Sequence, residues 1–437
     1  MSAQKDDRKP QPQLPLREIP GDYGLPLFGP IKDRLDFFYN QGRDNFFISR
    51  IQKHQSTVFR TNLPPGPFIS SNPQVVALLD TKSFPVLLDN SKIDKRDAFV
   101  GTYKPSSAFN GGYRVCGYLD TSEPDHAALK YWFLSQLAAR KDRVIPLFRR
   151  HLADLFLKLE DQLVKMLSPL MTLGLPKFLN LVEDLLLHTV PFPALLVKPI
   201  YNKLYNVFWD SATSALDEAE RLGIPRDEAC HNLVFLVVFN AYGGMKVLFP
   251  ALLKWVGIAG QTLHRQLRNE IRTVVKEAGG KVTLSALEKM TLTKSVVYEA
   301  LRMEPPVPFS HGKAKKDMIV HSHDAAFVIK EGEMMFGYQP IVQRDPKVFE
   351  NPDEFVEDRF VGEGEKLLTY LWWSLGRETE NPTVDDKQCA GKDLVVVMNR
   401  IMLVEFFLRY DTFTADIETL LLGSKVTLKT LIKNASY

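Results

Sequence analysis

The feature that most constrains this chain is a loop that ends in a cysteine and leads into a strongly apolar helix. Cys389 is followed by Ala390 and Gly391, and the run 394–407 is apolar on nearly every face. Such a helix is buried in a core, and a sulfur at its start lies where amide dipoles favour a thiolate. Gly391 has no Cβ, so a large flat ligand can approach the backbone closely. Two interpretations stay open here: Cys389 is an iron ligand, or it is a packed core thiol.

Composition indicates a soluble globular protein. Of the 437 residues, 45% are hydrophobic and 24% are charged, and the net charge of +3 gives no indication of nucleic-acid binding. Three cysteines at wide spacings disfavour a disulfide framework and favour a reducing compartment. No linker, charge block or internal repeat interrupts the middle of the chain. We therefore expect a disordered tail over residues 1–14 and a single domain over residues 15–437.

The apolar stretches do not predict a membrane span. Residues 233–249 include Asn240, two glycines and Lys246, which is typical of a buried helix. Residues 185–205 are apolar and broken by prolines, so they predict either core or a lip that dips into a membrane surface. The N-terminal residues show no pattern of a signal or transit peptide. We expect a cytoplasmic or peripherally membrane-associated protein, with the plastid as the alternative and membrane contact through residues 185–205.

Helical periodicity dominates the chain, with short strands near both ends. Helices are predicted over residues 31–53, 145–167, 198–221, 226–246, 260–278 and 284–303, with another that begins near Ser122 and a short one from Asn72 to Leu79. Strands are predicted over residues 57–62, 68–71, 318–321, 326–329 and 334–338. This pattern indicates a mainly α fold with small β-sheets.

Three charged residues belong to a sequence pattern that is typical of one protein family. Glu299 and Arg302 are three residues apart on one helix, so their side chains can form an ion pair on one face. That face is apolar, and Arg359 is a third charge that could complete a buried network. Glu-x-x-Arg, Asp-Arg-Phe and, about ninety residues after Glu299, Cys-x-Gly follow one another in this order. The arrangement resembles the signature of the cytochromes P450.

The loop before Cys389 narrows the resemblance to one branch. Ordinary cytochromes P450 have a short Phe-x-x-Gly-x-Arg-x-Cys loop, whereas this chain has a longer one over residues 372–389. The longer loop, with segments such as 99–103 and 336–340, resembles the plant enzymes that metabolise fatty acid hydroperoxides. These are allene oxide synthases, hydroperoxide lyases and divinyl ether synthases. The match runs almost end to end and implies a cytochrome P450-like fold.

The resemblance implies a haem b cofactor. Cys389 would be the axial thiolate and therefore the ligand of the metal. Lys95, His126 and Lys130 are at positions where the family contacts the haem propionates, which need cations.

The resemblance also implies two catalytic residues. Asn240 would hold the hydroperoxide over the iron, in a helix without the acid and alcohol of oxygen-activating relatives. Phe99 is at the position that separates synthases from lyases, and Phe there favours allene oxide synthase. A fatty acid hydroperoxide already contains the O–O bond, so neither O₂ nor a redox partner is implied.

Several departures from the family keep other functions open. Gly117 replaces a usual Ser, which weakens the synthase assignment; Leu375 and Arg377 replace a usual Asn and Pro and predict a looser loop. Roughly forty residues of the helical bundle have no counterpart near residues 165–167, and their loss would expose apolar faces. Besides allene oxide synthase, two alternatives therefore stand: a hydroperoxide lyase or divinyl ether synthase, and a truncated, non-catalytic relative with weak or no haem binding.

Overall fold

The computed structural model describes residues 14–63, 73–97, 110–140, 175–189, 194–420 and 423–434. Within these ranges the fold is mainly helical with three small sheets, as the sequence predicts. Several sequence predictions lie outside the described residues: Phe99, the strand at 68–71, the helix at 145–167 and the junction near 165–167.

The helices end where glycine or another local feature interrupts the periodicity. Gly42, at φ 76°, separates the first two helices, and Gly260, at φ 75° and ψ −160°, kinks the longest one. A π-helical segment, Phe235–Gly243, joins the helix Arg226–Val234 to the helix Gly244–Glu277. The helices are α1 (Phe28–Leu35), α2 (Arg43–His54), α3 (Pro124–Arg140), α4 (Asn180–Thr189), α5 (Ala194–Ser211), α6 (Thr213–Arg221), α7 (Arg226–Val234), α8 (Gly244–Glu277), α9 (Leu284–Glu288), α10 (Thr291–Met303), α11 (Gln339–Val342) and α12 (Lys392–Arg409).

The strands form one five-stranded sheet, one three-stranded sheet and a hairpin. Their orders are β2-β3-β8-β5-β4, β1-β7-β6 and β9-β10. The strands are β1 (Leu16–Arg17), β2 (Val58–Asn62), β3 (Gln74–Leu78), β4 (Ile93–Asp94), β5 (Phe309–Ala314), β6 (Met318–His321), β7 (Ala326–Ile329), β8 (Met334–Tyr338), β9 (Tyr410–Thr419) and β10 (Ser424–Lys433).

The short helix predicted from Asn72 to Leu79 is wrong, because these residues contribute strand β3. β3 pairs antiparallel with β2 and parallel with β8. Val75, Val76 and Leu78 are almost completely buried. A strand covered on both faces reads as a continuous apolar run rich in β-branched residues, and that preference outweighs the Asn-Pro capping pattern.

The largest core cluster lies between α8, α10 and α12, with members such as Leu252, Leu301 and Phe407. The continuous helical run 226–277 is the one in the described part of the chain that is long and apolar enough to cross a membrane. Its second half packs in this cluster, and Pro250 and the kink at Gly260 lie within it. The second half of the run is therefore a core helix, whereas 35% of its most apolar window is buried.

The predicted charge network is present and buried. The Arg302 guanidinium donates to both Glu299 carboxylate oxygens at 2.7 and 2.8 Å, and Arg359 Nε lies 3.1 Å from Glu299 Oε1. The Val356 amide donates to the same carboxylate at 2.9 Å, and Arg302 also donates to the Pro352 carbonyl at 2.7 Å. The network fixes α10 to the segment that leads to the cysteine loop.

A second buried ion pair joins distant parts of the chain. Arg34 of α1 and Asp184 of α4 are fully buried, with a shortest N···O distance of 2.6 Å. The Arg34 Nε also donates to Asp184 at 2.8 Å. The pair connects the N-terminal helices to the central helical part of the fold.

Candidate active site

Cys389 follows the long loop and stands three residues before α12. Its amide donates to the Ser374 carbonyl at 2.8 Å, and its own carbonyl accepts from the Lys392 amide at 3.1 Å. Cys389 is exposed to solvent, although many protein atoms lie around its sulfur. Burial therefore raises the pKa of the Cys389 thiol, and the Gly391 amide and Lys130 only partly offset it. The sequence predicts that backbone amides favour a thiolate here, and the Gly391 amide has this effect. Full deprotonation of the sulfur would require a bound metal cation.

The loop before Cys389 is held by its own polar side chains. Gln388 Nε2 donates to Ser374 Oγ at 3.2 Å and to the Arg377 carbonyl at 2.8 Å. A Cβ on Gly376 would come within 2.5 Å of the Gln388 side chain, so glycine is required for this close approach. Leu375 has φ 61°, in the left-handed region, where leucine is strained and asparagine is tolerated.

Lys95, His126 and Lys130 converge in a buried basic cluster, which we define by these three residues and Lys387. Lys95 Nζ donates to Ser310 Oγ at 3.1 Å and to the His311 carbonyl at 2.5 Å. Lys130 Nζ donates to the Gln388 carbonyl, next to Cys389. Of the four residues, the sequence analysis missed only Lys387, whose Nζ donates to the Leu119 carbonyl at 2.7 Å.

The electrostatics of the basic cluster favour an anionic ligand. Burial and the nearby Lys387 lower the pKa of Lys95 to about 7. Burial, Lys387 and Lys130 lower the pKa of His126 to about 4, and burial lowers the pKa of Lys387 to about 8. The buried Nδ1 of His126 has no partner in the described part of the chain. Two carboxylates placed here would offset the repulsion, so the cluster and the Cys389 thiol together fit the propionates and the iron of a haem.

A cavity of about 610 Å³ adjoins the basic cluster, with Lys95, His311, Leu375 and Lys387 among its lining residues. His311 was also missed by the sequence analysis. Both of its ring nitrogens are buried and lack a hydrogen-bond partner among the described residues. Burial, with a smaller effect of Lys95, lowers the pKa of His311 to about 3, so this imidazole is neutral near pH 7.

Asn240 lies in the π-helical segment between α7 and α8 and is half-buried. Its amide makes no side-chain hydrogen bond to any residue that the structure describes, so the amide is not consumed in bonding its own helix. Leu236, one turn earlier, and Ala390, next to Cys389, pack against the same core cluster. The segment that carries Asn240 and the cysteine loop therefore border the same core cluster. π-helical turns occur often at functional sites.

Gly117 lies in a 3₁₀ turn beside the basic cluster. Its carbonyl accepts from Lys387 Nζ at 3.2 Å, and the neighbouring Tyr118 packs against Phe235 of the π-helical segment with ring centroids 5.5 Å apart. The position is therefore near the haem-facing elements, but it offers no hydroxyl. Phe99, the other residue that is predicted to affect the reaction outcome, lies outside the described ranges.

Comparison with known proteins agrees with this geometry. Residues 259–420 match the family described as Cytochrome P450. "Allene oxide synthase 3" of Solanum lycopersicum is 52% identical, covering 97% of this chain and 96% of the relative. "Allene oxide synthase 1, chloroplastic" of the same species is also 52% identical, over 98% of this chain and 88% of the relative. "Allene oxide synthase 2" of Oryza sativa subsp. japonica is 50% identical, over 96% and 97%.

The length of these alignments shows that a relative contains residues that this chain lacks. The alignment with the first tomato enzyme spans 472 positions, although the whole chain has 437 residues. The relative therefore has residues without a counterpart here, as the sequence analysis expects. The predicted place of the gap is outside the described residues. With at least half of the aligned positions identical to these three enzymes over nearly its whole length, the chain belongs to the cytochrome P450 family and, within it, to the group of the allene oxide synthases.

Proposed function

We propose that this protein is a haem-thiolate enzyme that dehydrates a polyunsaturated fatty acid hydroperoxide to an allene oxide and water. The observation that carries the proposal is the identity of about half to allene oxide synthases from tomato and rice over nearly the full length of both partners. The cytochrome P450 family implies haem, and the donor set described above supports its binding. Cys389 would hold the iron through its sulfur, and Lys95, His126, Lys130 and Lys387 would hold the carboxylates.

Haem, when bound, supplies the one-electron chemistry that cleaves the substrate O–O bond. The free amide of Asn240 donates a hydrogen bond to the hydroperoxide and holds it in place. The family resemblance implies that Phe99 would favour loss of an electron and a proton over chain scission. The π-helical segment carries no acidic residue, so it contains no carboxylate relay for protons. Because the substrate brings both oxygen atoms, the reaction needs no O₂ and no redox partner.

A second candidate activity is that of a hydroperoxide lyase or divinyl ether synthase on the same site. The observation that favours it is Gly117, which gives no hydroxyl to the substrate and whose carbonyl is occupied by Lys387. A non-catalytic relative is the third candidate, because the aligned tomato enzyme has residues that this chain lacks.

The decisive experiment is a spectrum of the purified protein followed by product analysis. We expect a ferric Soret band typical of thiolate ligation that is lost in Cys389→Ala, while Cys230→Ala retains it. Cys230 is a matched control because it is a buried free thiol whose Sγ donates to the Tyr205 carbonyl. A linoleic acid hydroperoxide should give allene oxide hydrolysis products, and Phe99→Leu should divert the products toward aldehydes. A protein without haem supports the non-catalytic candidate, and aldehydes from the wild type support the lyase.

We also propose peripheral contact with a membrane surface through residues 185–205 and the helix turns beside them. Phe178 is 81% exposed, Leu186 is 66% exposed and Leu195 is 79% exposed, which are high exposures for large apolar side chains. Contact with a membrane would place the enzyme where its apolar substrate is dissolved. Some relatives from tomato and flax are named chloroplastic. These names support a plastid membrane, so this location is as well supported as a cytoplasmic one.

A further inference from the structure

A second cavity, of about 530 Å³, lies between α2, α8, the end of α10 and the β9–β10 hairpin. Its apolar wall includes Val247, Met303, Pro305 and Pro308. One end is charged, with Arg43 at the start of α2. The cavity therefore has the polarity of a site for an amphipathic molecule with an apolar chain and an anionic head.

Arg43 interacts electrostatically with the neighbouring Asp44, but the closer partners of Asp44 are other residues. Asp44 is matched by Arg344 at 2.7 Å and accepts from Tyr338 at 2.6 Å. Burial raises the pKa of Asp44, but these partners outweigh it and the pKa falls below its usual value.

The other carboxylate of the lining, Glu304, is paired with Lys254. Within the ranges that the structure describes, the Arg43 guanidinium has no carboxylate within 4.0 Å and donates no hydrogen bond. Arg43 is half-buried, so an anion bound there would be partly shielded from water.

Two elements of the chain run from this cavity to the candidate active site. Val247 follows Asn240 by seven residues on the same helical run, which is roughly 10 Å along a helix axis. The prolines of the wall lead directly into β5, whose Phe309, Ser310 and His311 line the cavity beside the basic cluster. A chain bound with its head at Arg43 would extend along the segment that carries Asn240.

We propose that Arg43 binds the carboxylate of the fatty acid hydroperoxide and that this second cavity holds the carboxyl end of its chain. The inference rests on the proposed function, because it names the subsite for the substrate of that activity. A guanidinium forms two parallel hydrogen bonds to a carboxylate, and this pairing distinguishes a free acid from its ester.

The test is calorimetric binding of an unreactive hydroxy analogue of linoleic acid and of its methyl ester to the purified holoprotein. The wild type should bind the acid about tenfold more tightly than the ester. Arg43→Leu should lose this preference while binding the ester as the wild type does, and Arg43→Lys should keep part of it. Arg17→Leu, which removes an exposed arginine in β1, is the matched control and should leave the preference unchanged.

An acid-to-ester ratio that is the same in Arg43→Leu and in the wild type overturns the inference, as does a wild type without preference for the acid. Circular dichroism of each variant shows that a lost preference comes from a folded protein. Failure of the proposed function has a different signature, namely absence of a thiolate Soret band or of allene oxide products. The binding ratio is measured without turnover, so the two failures are separable.

Discussion

The backbone of Leu375 is the clearest point of residue-scale strain near Cys389. A leucine in the left-handed region costs about 1–2 kcal/mol relative to its preferred conformation, whereas asparagine visits this region readily. We predict that Leu375→Asn raises the free energy of unfolding by about 1 kcal/mol in urea denaturation followed by circular dichroism. Leu375→Ala keeps a Cβ and the strain, so it should give no gain; a stabilisation equal to that of the Asn variant would contradict this explanation.

The family resemblance selected individual residues for the candidate site but gave no information about the residues that surround them. Lys95, His126 and Lys130 were selected from the family resemblance, and the structure brings them together near Cys389. Lys387 stood inside the motif that carried the resemblance, yet its role depends on contacts with Leu119, more than 250 positions away. No local pattern contains that information. His311 was missed for the same reason, since its burial arises from the pairing of β5 with β8.

At the scale of elements, the sequence predicted helices and strands wherever local preference and tertiary context agree. Strands β6, β7 and β8 lie at their predicted positions. β3 was misassigned because the Asn-Pro pattern is local, whereas the two neighbouring strands that bury Val75 and Val76 are not. The π-helical segment around Asn240 could not be predicted either, because hydrophobic periodicity does not distinguish a π-turn from an α-turn.

The Glu299 network gives a prediction for the element that it anchors. Glu299→Gln would leave Arg302 and Arg359 buried with an incomplete partner, and breaking such a network costs about 3–5 kcal/mol. We expect this loss in the free energy of unfolding measured in urea. The control is Glu365→Gln, which breaks an exposed pair with Lys294 of the same helix and should cost less than about 1 kcal/mol. Equal losses in the two variants would rule out a special role for the buried network.

At the scale of the whole molecule, the exposed apolar side chains of the central helical part predict membrane association. α1 contacts α4. Leu25, which precedes α1, and Phe28, its first residue, are 72% and 74% exposed and extend the set of exposed apolar side chains. These side chains would leave water on contact with a lipid surface, and burial of apolar area is favourable. The proposed contact therefore extends beyond residues 185–205.

We expect the wild-type protein to sediment with phospholipid vesicles and a triple variant, Phe178→Ser, Leu186→Ser and Leu195→Ser, to stay largely in solution. Ile319→Ser with Ile432→Ser removes two exposed apolar side chains from other elements and should leave sedimentation unchanged. If the triple variant sediments as the wild type does, these side chains do not contact the lipid. In that case these side chains are exposed because this chain lacks the part of the helical bundle that would cover them.

The Arg34–Asp184 pair limits how far the protein can be truncated at its N-terminus. A protein expressed without its first 35 residues would keep Asp184 inside the fold but lose the guanidinium that neutralises it. Removing one partner of a buried ion pair is strongly destabilising, so the truncation would destabilise α4 and the helices that follow. Trimming the leading segment to aid crystallisation would therefore damage a region 150 positions downstream, even though no residue of that region had been altered.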